Sequence, residues 1–138
     1  MHHLAQRRIE QSGLNVEQRI GGGEQLPFPE NSFDCVVSTF TLCSVADVSR
    51  TLSEIHRVLK PTGRFLLLEH GLSPEPAVQR WQRRLNWLQA RLGDGCRLDL
   101  DMQKLVAAQP FSKIEIQRFY LEKAPKTHGS MYRGVATK

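Results

Sequence analysis

Residues 26–73 read LPFPENSFDCVVSTFTLCSVADVSRTLSEIHRVLKPTGRFLLLEHGLS, and this stretch decides the fold. Residues 34–40 are apolar and β-branched and follow a turn-forming Pro-Glu-Asn-Ser segment, which predicts a strand. Residues 47–59 carry apolar side chains at helical spacing, with Asp47 as the N-cap and a Lys-Pro-Thr-Gly stop behind them. Residues 64–69 predict a second strand. A strand–helix–strand unit of this kind favours two parallel strands joined by a right-handed crossover.

The same stretch carries a family resemblance. The motifs LPFPENSFD at residues 26–34 and LSEIHRVLKPTGRFLLLE at residues 52–69 resemble the second half of a class I S-adenosylmethionine-dependent methyltransferase. The likeness is greatest to the ubiquinone/menaquinone methyltransferases and to related thiol- and lipid-associated methyltransferase-like proteins. It implies an α/β, partial Rossmann-like fold with parallel strands and a C-terminal antiparallel pair, in which the first two strands of the family sheet are missing. A single domain over residues 1–138 is expected.

Periodicity predicts six further elements along the chain. They are a helix over residues 1–12, a strand over 15–20, helices over 76–92 and 99–108, and strands over 111–121 and 131–137. The helix over 76–92 is amphipathic and basic, with an apolar stripe that includes Trp81 and Leu88. Such a stripe favours packing as core or as a lid, with contact to a membrane as the less favoured alternative.

Composition limits the classes of partner. The net charge is +5 over 138 residues, and no motif interleaves basic with aromatic residues, so no nucleic-acid partner is predicted. The sequence shows no signal peptide and no apolar run long enough to span a bilayer. Three cysteines without a CxxC pair favour a reduced, cytoplasmic setting, with Cys35 as a small core residue. The spacing of histidines and cysteines predicts no metal site.

The resemblance implies S-adenosylmethionine as the cofactor and assigns contacts to it residue by residue. One group, in the family's adenine-contacting turn and just after it, consists of Gly23, Glu24 and Leu26; the other, in the loop after the central strand, consists of Thr39, Phe40 and Leu42. Without the resemblance, the glycine run reads as a flexible turn and the second group as a buried strand end. Gly22 stands where the family commonly has an acidic residue, and the family's glycine-rich loop is not found in this sequence.

Catalysis by such an enzyme depends mainly on alignment, because methyl transfer from a sulfonium is an in-line displacement. A base is needed only where the nucleophile carries a proton. Glu69 and His70, at the predicted end of a parallel strand, are the candidate acid–base pair. The alternative is that Glu69 orders a loop and His70 faces solvent. The resemblance implies a small-molecule or lipid-like acceptor.

The predicted strand at 34–40 would pair in the family with a strand that this sequence lacks. An apolar strand without that neighbour is a template for pairing, which predicts a homodimer or swapped assembly unless the strand at 15–20 fills the position. Two other functions stay open: a non-catalytic remnant or oligomerisation module of this fold, and a Rossmann-type reductase. The absence of GxGxxG and of a Tyr-x-x-x-Lys pair in the sequence argues against the reductase.

Overall fold

The computed structural model describes residues 2–93 and 95–138, with side chains from residue 6 onward. The helices are α1 (His2–Ser12), α2 (Val48–Val58), α3 (Pro76–Leu92), α4 (Met102–Ala107) and α5 (Lys126–Gly129), and the strands are β1 (Phe33–Thr39), β2 (Leu59–His70), β3 (Lys113–Tyr120) and β4 (Ser130–Thr137). A 3₁₀ turn spans Leu42–Ser44.

The strands form one four-stranded sheet in the order β1-β2-β4-β3. β1 pairs with β2 in parallel, whereas β4 is antiparallel to both β2 and β3. This arrangement confirms the predicted α/β class, with its parallel unit and C-terminal antiparallel pair. Within the described residues β1 is an outer strand of the sheet, as the edge hypothesis requires.

Helix α2 begins and ends where local chemistry predicts. The Asp47 side chain accepts a hydrogen bond from the Arg50 backbone N–H at 2.9 Å, which caps the first turn. At the other end Thr62 has a φ of +66°, and a side chain on Gly63 would place its Cβ 2.8 Å from the Lys60 carbonyl oxygen. The predicted stop is therefore a tight backbone turn that lies within the beginning of β2.

The two faces of the sheet differ in what covers them. On the covered face, Phe65 and Leu67 of β2 are buried in a core that includes Leu52 of α2 and Val106 of α4. The alternate residues form the open face, which lines a shallow hollow. The open-face side chains in that hollow are those of Val37, Thr39, Leu66, Leu68, Glu115, Gln117, Arg133 and Val135.

The prediction of a strand over residues 15–20 is wrong. Residues 14–20 form no strand or helix, and the side chains of Val16 and Ile20 are 46% and 86% exposed. Alternation of apolar and polar residues stabilises a strand only where a neighbour completes its hydrogen bonds and covers its apolar face. This segment therefore does not fill the position beside β1.

The prediction that the apolar stripe of α3 packs in the core is also wrong. Trp81 is 56% exposed and Leu88 38% exposed, while the buried residue of this helix is Gln82. Its amide accepts from the Ser73 N–H at 2.9 Å and donates to the Gly71 carbonyl at 3.1 Å. A polar contact that satisfies loop backbone groups thus sets the orientation of α3. Among the described helices, none is both long and apolar enough to cross a membrane.

Candidate active site

The parallel strands β1 and β2 end at the same edge of the sheet. β1 ends at Thr39, opposite Leu68, and β2 continues to His70. The carboxyl ends of parallel strands are where open α/β sheets bind their ligands. The loops that leave this edge, at residues 40–47 and 71–75, therefore define the candidate active site.

Glu69 lies at this edge but is fully buried on the covered face. Its carboxylate accepts hydrogen bonds from the Ser38 hydroxyl at 2.6 Å and from the Thr41 N–H at 3.0 Å. The Cys43 N–H points at the same carboxylate from 3.5 Å. Because its oxygens are already used in this way, Glu69 orders the loop after β1. The structure therefore does not support the predicted role of Glu69 as an acid–base partner.

Phe40 is held by that ordered loop in an unusual conformation. Its φ is +50°, in the left-handed region, which costs a non-glycine residue about 1–3 kcal/mol. The Phe40 N–H continues the ladder by donating to the Leu68 carbonyl at 3.0 Å, and the side chain is 48% exposed. Its ring lies against the His70 ring, with 5.0 Å between the centroids. Strain kept in place at a strand end is typical of functional sites.

His70 is half-buried and borders a cavity of about 550 Å³. Burial lowers the pKa of His70, an effect that the charge of Glu69 opposes and His128 reinforces. The imidazole is therefore neutral at neutral pH and can accept a proton. The other residues around the cavity come from the loop after β1 and from α3 and the turn behind it: Phe40, Thr41, Cys43, Ser44, Val45, Gln89, Gly93 and Cys96.

Gly23 and Glu24 reach the same edge from the preceding loop. The Glu24 carboxylate accepts from the N–H groups of Ala46 and Asp47, at 3.2 and 3.3 Å, just before α2 begins. Gly23 approaches Thr51 so closely that a Cβ there would lie 2.8 Å from the Thr51 methyl carbon. The glycine is thus explained by packing of the loop on α2.

Leu26 and Leu42 both pack with the hydrophobic core, Leu26 as a partly buried residue at its border. The Leu26 N–H donates to Glu54 at 2.9 Å, and its carbonyl accepts from Arg57 at 3.1 Å, so this residue fastens the loop to the second half of α2. Leu42 is 0% exposed, and its side chain packs in the core; its predicted cofactor contact stays a prediction. Thr39 is exposed on the open face.

The cysteines are arranged differently from the prediction. Cys35 is exposed, because its side chain lies on an uncovered outer strand, so its assignment to the core is wrong. Cys43 and Cys96 are buried, with 3.4 Å between their sulfur atoms, and His70 lies beside them. Burial, together with the hydrogen bond that the Cys43 thiol shares with Cys96, raises the pKa of Cys43 to about 12. The spacing of the sequence does not reveal this group, because 53 residues separate the two cysteines.

Comparison with known proteins shows a similarity to methyltransferases. The family described as methyltransferase domain matches residues 1–67. The ubiquinone/menaquinone biosynthesis C-methyltransferase UbiE of Hahella chejuensis is 46% identical over 68 residues, which cover 49% of this chain and 27% of that protein. Over residues 1–67, just under half of its length, the chain is therefore similar to methyltransferases, and the relative from Hahella chejuensis supports a likeness to the class I S-adenosylmethionine-dependent methyltransferases.

Two further relatives extend the match. Thiol S-methyltransferase TMT1B of Rattus norvegicus is 36% identical over 89 residues, covering 64% of this chain and 36% of that protein. The crystal structure of an S-adenosylmethionine-dependent methyltransferase from Methanosarcina mazei superposes on this chain with a TM-score of 0.71 at 22% identity. That superposition covers 99% of this chain and 76% of the other, which supports the fold over the whole length described. The chain spans only about a third or less of the two curated relatives.

Proposed function

We propose that this protein takes part in methyl transfer from S-adenosylmethionine to a small-molecule or lipid-like acceptor. The observation that carries the proposal is the strained Phe40 packed against His70, beside a cavity at the carboxyl edge of a sheet that resembles those of methyltransferases. The curated relatives are named for quinone biosynthesis and for a thiol, and both names describe small-molecule methylation. A cytoplasmic setting, in keeping with three free thiols, is part of the proposal.

The cofactor would lie along the edge between the two loops that meet there. Glu24 joins these loops through its bonds to Ala46 and Asp47, so the backbone of Gly23 and Glu24 is within reach of the segment that follows Phe40. In this proposal the exposed Phe40 ring packs against the cofactor. Leu26 and Leu42 contribute through the packing of the loops that carry them, and Thr39 contributes from the open face.

The acceptor would enter the cavity beside His70. Helix α3 borders this cavity through Gln89, and it presents Trp87 and Leu92 to solvent, 67% and 77% exposed. Exposed aromatic and aliphatic side chains on a helix that borders a binding cavity favour an acceptor with an apolar portion. This arrangement supports a lipid-like acceptor more strongly than a fully polar one.

Catalysis would follow mainly from alignment of the acceptor with the methyl group. Where the acceptor carries a proton, His70 is the side chain placed to accept it, because its lowered pKa keeps it neutral. Glu69 is a positioning residue in this scheme. Its carboxylate holds Thr41 and thereby the Phe40 conformation.

Calorimetric titration with S-adenosylhomocysteine tests the proposal. We expect measurable binding to the chain, and Phe40→Ala should weaken it by about tenfold, the effect of roughly 1.4 kcal/mol of lost contact. Leu14→Ala is the matched control, because Leu14 is 70% exposed and lies on the segment before the glycine run. Absence of binding at millimolar ligand, or equal affinities for Phe40→Ala and the parent chain, would contradict the proposal.

The exposed edge of β1 favours a second candidate function, an oligomerisation module. β1 has a partner on one side only within the described sheet, and Val37 is 64% exposed on its open face. An apolar outer strand of this kind pairs readily with a second chain, so we propose a homodimer or swapped assembly that covers it. Sedimentation should then give a dimer, and Val37→Lys should shift it towards monomer. A strictly monomeric chain whose β1 amides exchange freely would rule this out.

A further inference from the structure

Three potential ligands of a metal ion converge beside the cavity at the sheet edge. Cys43 Sγ lies 3.4 Å from Cys96 Sγ, and Cys96 Sγ lies 3.8 Å from His70 Nδ1. All three atoms lie within 4.8 Å of one another. We propose that Cys43, Cys96 and His70 bind a thiophilic divalent cation, with zinc as the preferred ion and with a fourth coordination position open to the cavity.

The spacing of the three atoms fits a tetrahedral ion. Zinc holds sulfur at about 2.3 Å and nitrogen at about 2.0–2.1 Å, which separates neighbouring ligand atoms by roughly 3.6–3.8 Å. The distances from Cys96 Sγ to Cys43 Sγ and to His70 Nδ1 are 3.4 and 3.8 Å, and Cys43 and His70 offer ligand atoms within 4.8 Å of each other. Side-chain rotations that bring Cys43 and His70 closer would complete the tetrahedral spacing. Three protein ligands with one free position are typical of catalytic zinc sites, whereas structural sites are closed by four.

The backbone that carries these ligands is fixed before any ion binds. The Arg97 N–H donates to the Cys43 carbonyl at 2.7 Å, which ties together the two segments that carry the cysteines. The Cys96 N–H donates to the Gly93 carbonyl at 2.9 Å, and His70 is held by its pairing with Met131 in the sheet. Because several separate elements hold these residues, an ion would bind without refolding of the site.

The chemistry of the ligands selects the class of ion. Sulfur and imidazole nitrogen suit zinc and other borderline or soft metals, whereas magnesium and calcium require oxygen ligands. Two thiolates neutralise the charge of a divalent ion, and charge neutrality favours binding where Cys43 and Cys96 are 1% and 9% exposed. The half-buried His70 completes the group on the side of the cavity.

This site does not rest on the proposed methyl transfer, and it changes what His70 can do. A histidine that binds an ion through Nδ1 carries its proton on Nε2, so it cannot also accept a proton from the acceptor. Metal binding and general-base action by His70 therefore exclude each other. Binding of zinc without binding of S-adenosylhomocysteine would separate a failure of the methyl-transfer proposal from a failure of this one.

Titration of the reduced chain with Co²⁺ in the absence of oxygen, followed by displacement with Zn²⁺, tests the site. We expect one equivalent of Co²⁺ with the thiolate-to-cobalt absorption of a tetrahedral sulfur site, and complete displacement by one equivalent of Zn²⁺. Cys43→Ser, Cys96→Ser and His70→Gln should each weaken zinc binding by at least about 100-fold, more than the loss typical of an outer-shell partner. Cys35→Ser is the matched control, since Cys35 is exposed and outside the group, and it should bind like the parent.

Circular dichroism of each variant without metal separates loss of a ligand from loss of the fold. His70→Gln is decisive here, because it removes no core side chain and keeps both cysteines. Three results would overturn the proposal: cobalt spectra without thiolate absorption, equal zinc affinities for the parent and a folded His70→Gln variant, or oxidation of Cys43 and Cys96 to a disulfide that zinc does not prevent.

Discussion

The covered and open faces of the sheet are built from alternate residues of the same strand. In β2 the covered face takes Phe65, Leu67 and Glu69, while Leu66 and Leu68 belong to the open face. The covered residues are at most 4% exposed and make the contacts that hold α2 and the loop after β1. The open residues are only partly buried. Alternate residues of one strand thus have different roles: one set packs in the core, and the other forms the open surface.

The division persists at the carboxyl end of the strand, where it separates two ionisable residues. Glu69 points into the covered side, where loop N–H groups and Ser38 use its carboxylate. His70, the next residue, faces Phe40, Cys96 and the cavity. Adjacency in the sequence therefore does not make these two residues an acid–base pair, since alternation in a strand turns them in opposite directions.

Leucine truncation on the two faces gives the largest expected contrast. Leu67→Ala removes a side chain that is 4% exposed in the core and should destabilise the fold by about 2–5 kcal/mol. Leu66→Ala removes the same atoms from the open face and should cost about 1 kcal/mol. Urea denaturation of both variants measures the difference. Equal losses would mean that the open face is covered in solution, as a dimer through this face would require.

Carboxylate neutralisation gives the second contrast. Glu69→Gln replaces a buried acceptor of several loop hydrogen bonds and should destabilise the fold by about 1–3 kcal/mol, because an amide cannot accept at both positions. It should also release the left-handed Phe40 and weaken S-adenosylhomocysteine binding. Glu115→Gln on the open face is the control, and it should change the free energy of unfolding by less than about 0.5 kcal/mol. A stable Glu69→Gln variant with normal ligand affinity would refute the positioning role.

The parts of the fold that the sequence predicted are those set by local rules. The β1–α2–β2 unit follows from two apolar strands, a capped helix and a backbone turn, all within about 40 residues. The likeness to a family then supplied the antiparallel pair at the end of the chain. Asp47 could be identified as a cap because the residue that it caps, Arg50, lies three positions away.

What the sequence did not predict depends on contacts between distant residues. Cys43 and Cys96 meet in the core, where the Arg97 N–H donates to the Cys43 carbonyl and joins the two distant segments. Leu42 and Phe40 are both apolar and close in sequence, yet one is core and the other exposed because Glu69 orders the turn between them. Likewise, α3 buries Gln82 rather than its tryptophans, because the Gln82 amide supplies hydrogen-bond partners to the backbone groups of the buried loop before α3.

Acid titration gives the smallest contrast and concerns how the covered side holds the loop at residues 26–28. Glu54 accepts from the Leu26 N–H and from Arg57, and the hydrogen bond from Arg57 is the main reason that the pKa of Glu54 is lowered from 4.5 to about 2. A carboxylate whose pKa is lowered by folding stabilises the folded state at every pH above its pKa in the unfolded chain. For Glu54 this contribution disappears as the pH falls from about 4.5 towards 2.

Glu54→Gln should therefore cost about 1–2 kcal/mol at pH 7, after allowance for partial exposure, and should flatten the fall in stability between pH 5 and pH 2. Asp34→Asn is the matched control: its bond to Lys60 also lowers the pKa of Asp34, but the side chain is 85% exposed. Solvent screens such a pair, so its removal should leave the pH profile nearly unchanged. Denaturation midpoints at several pH values distinguish the two. If both variants flatten the profile equally, the covered side has no special hold on this loop, and the contrast between the faces does not extend to the residues around them.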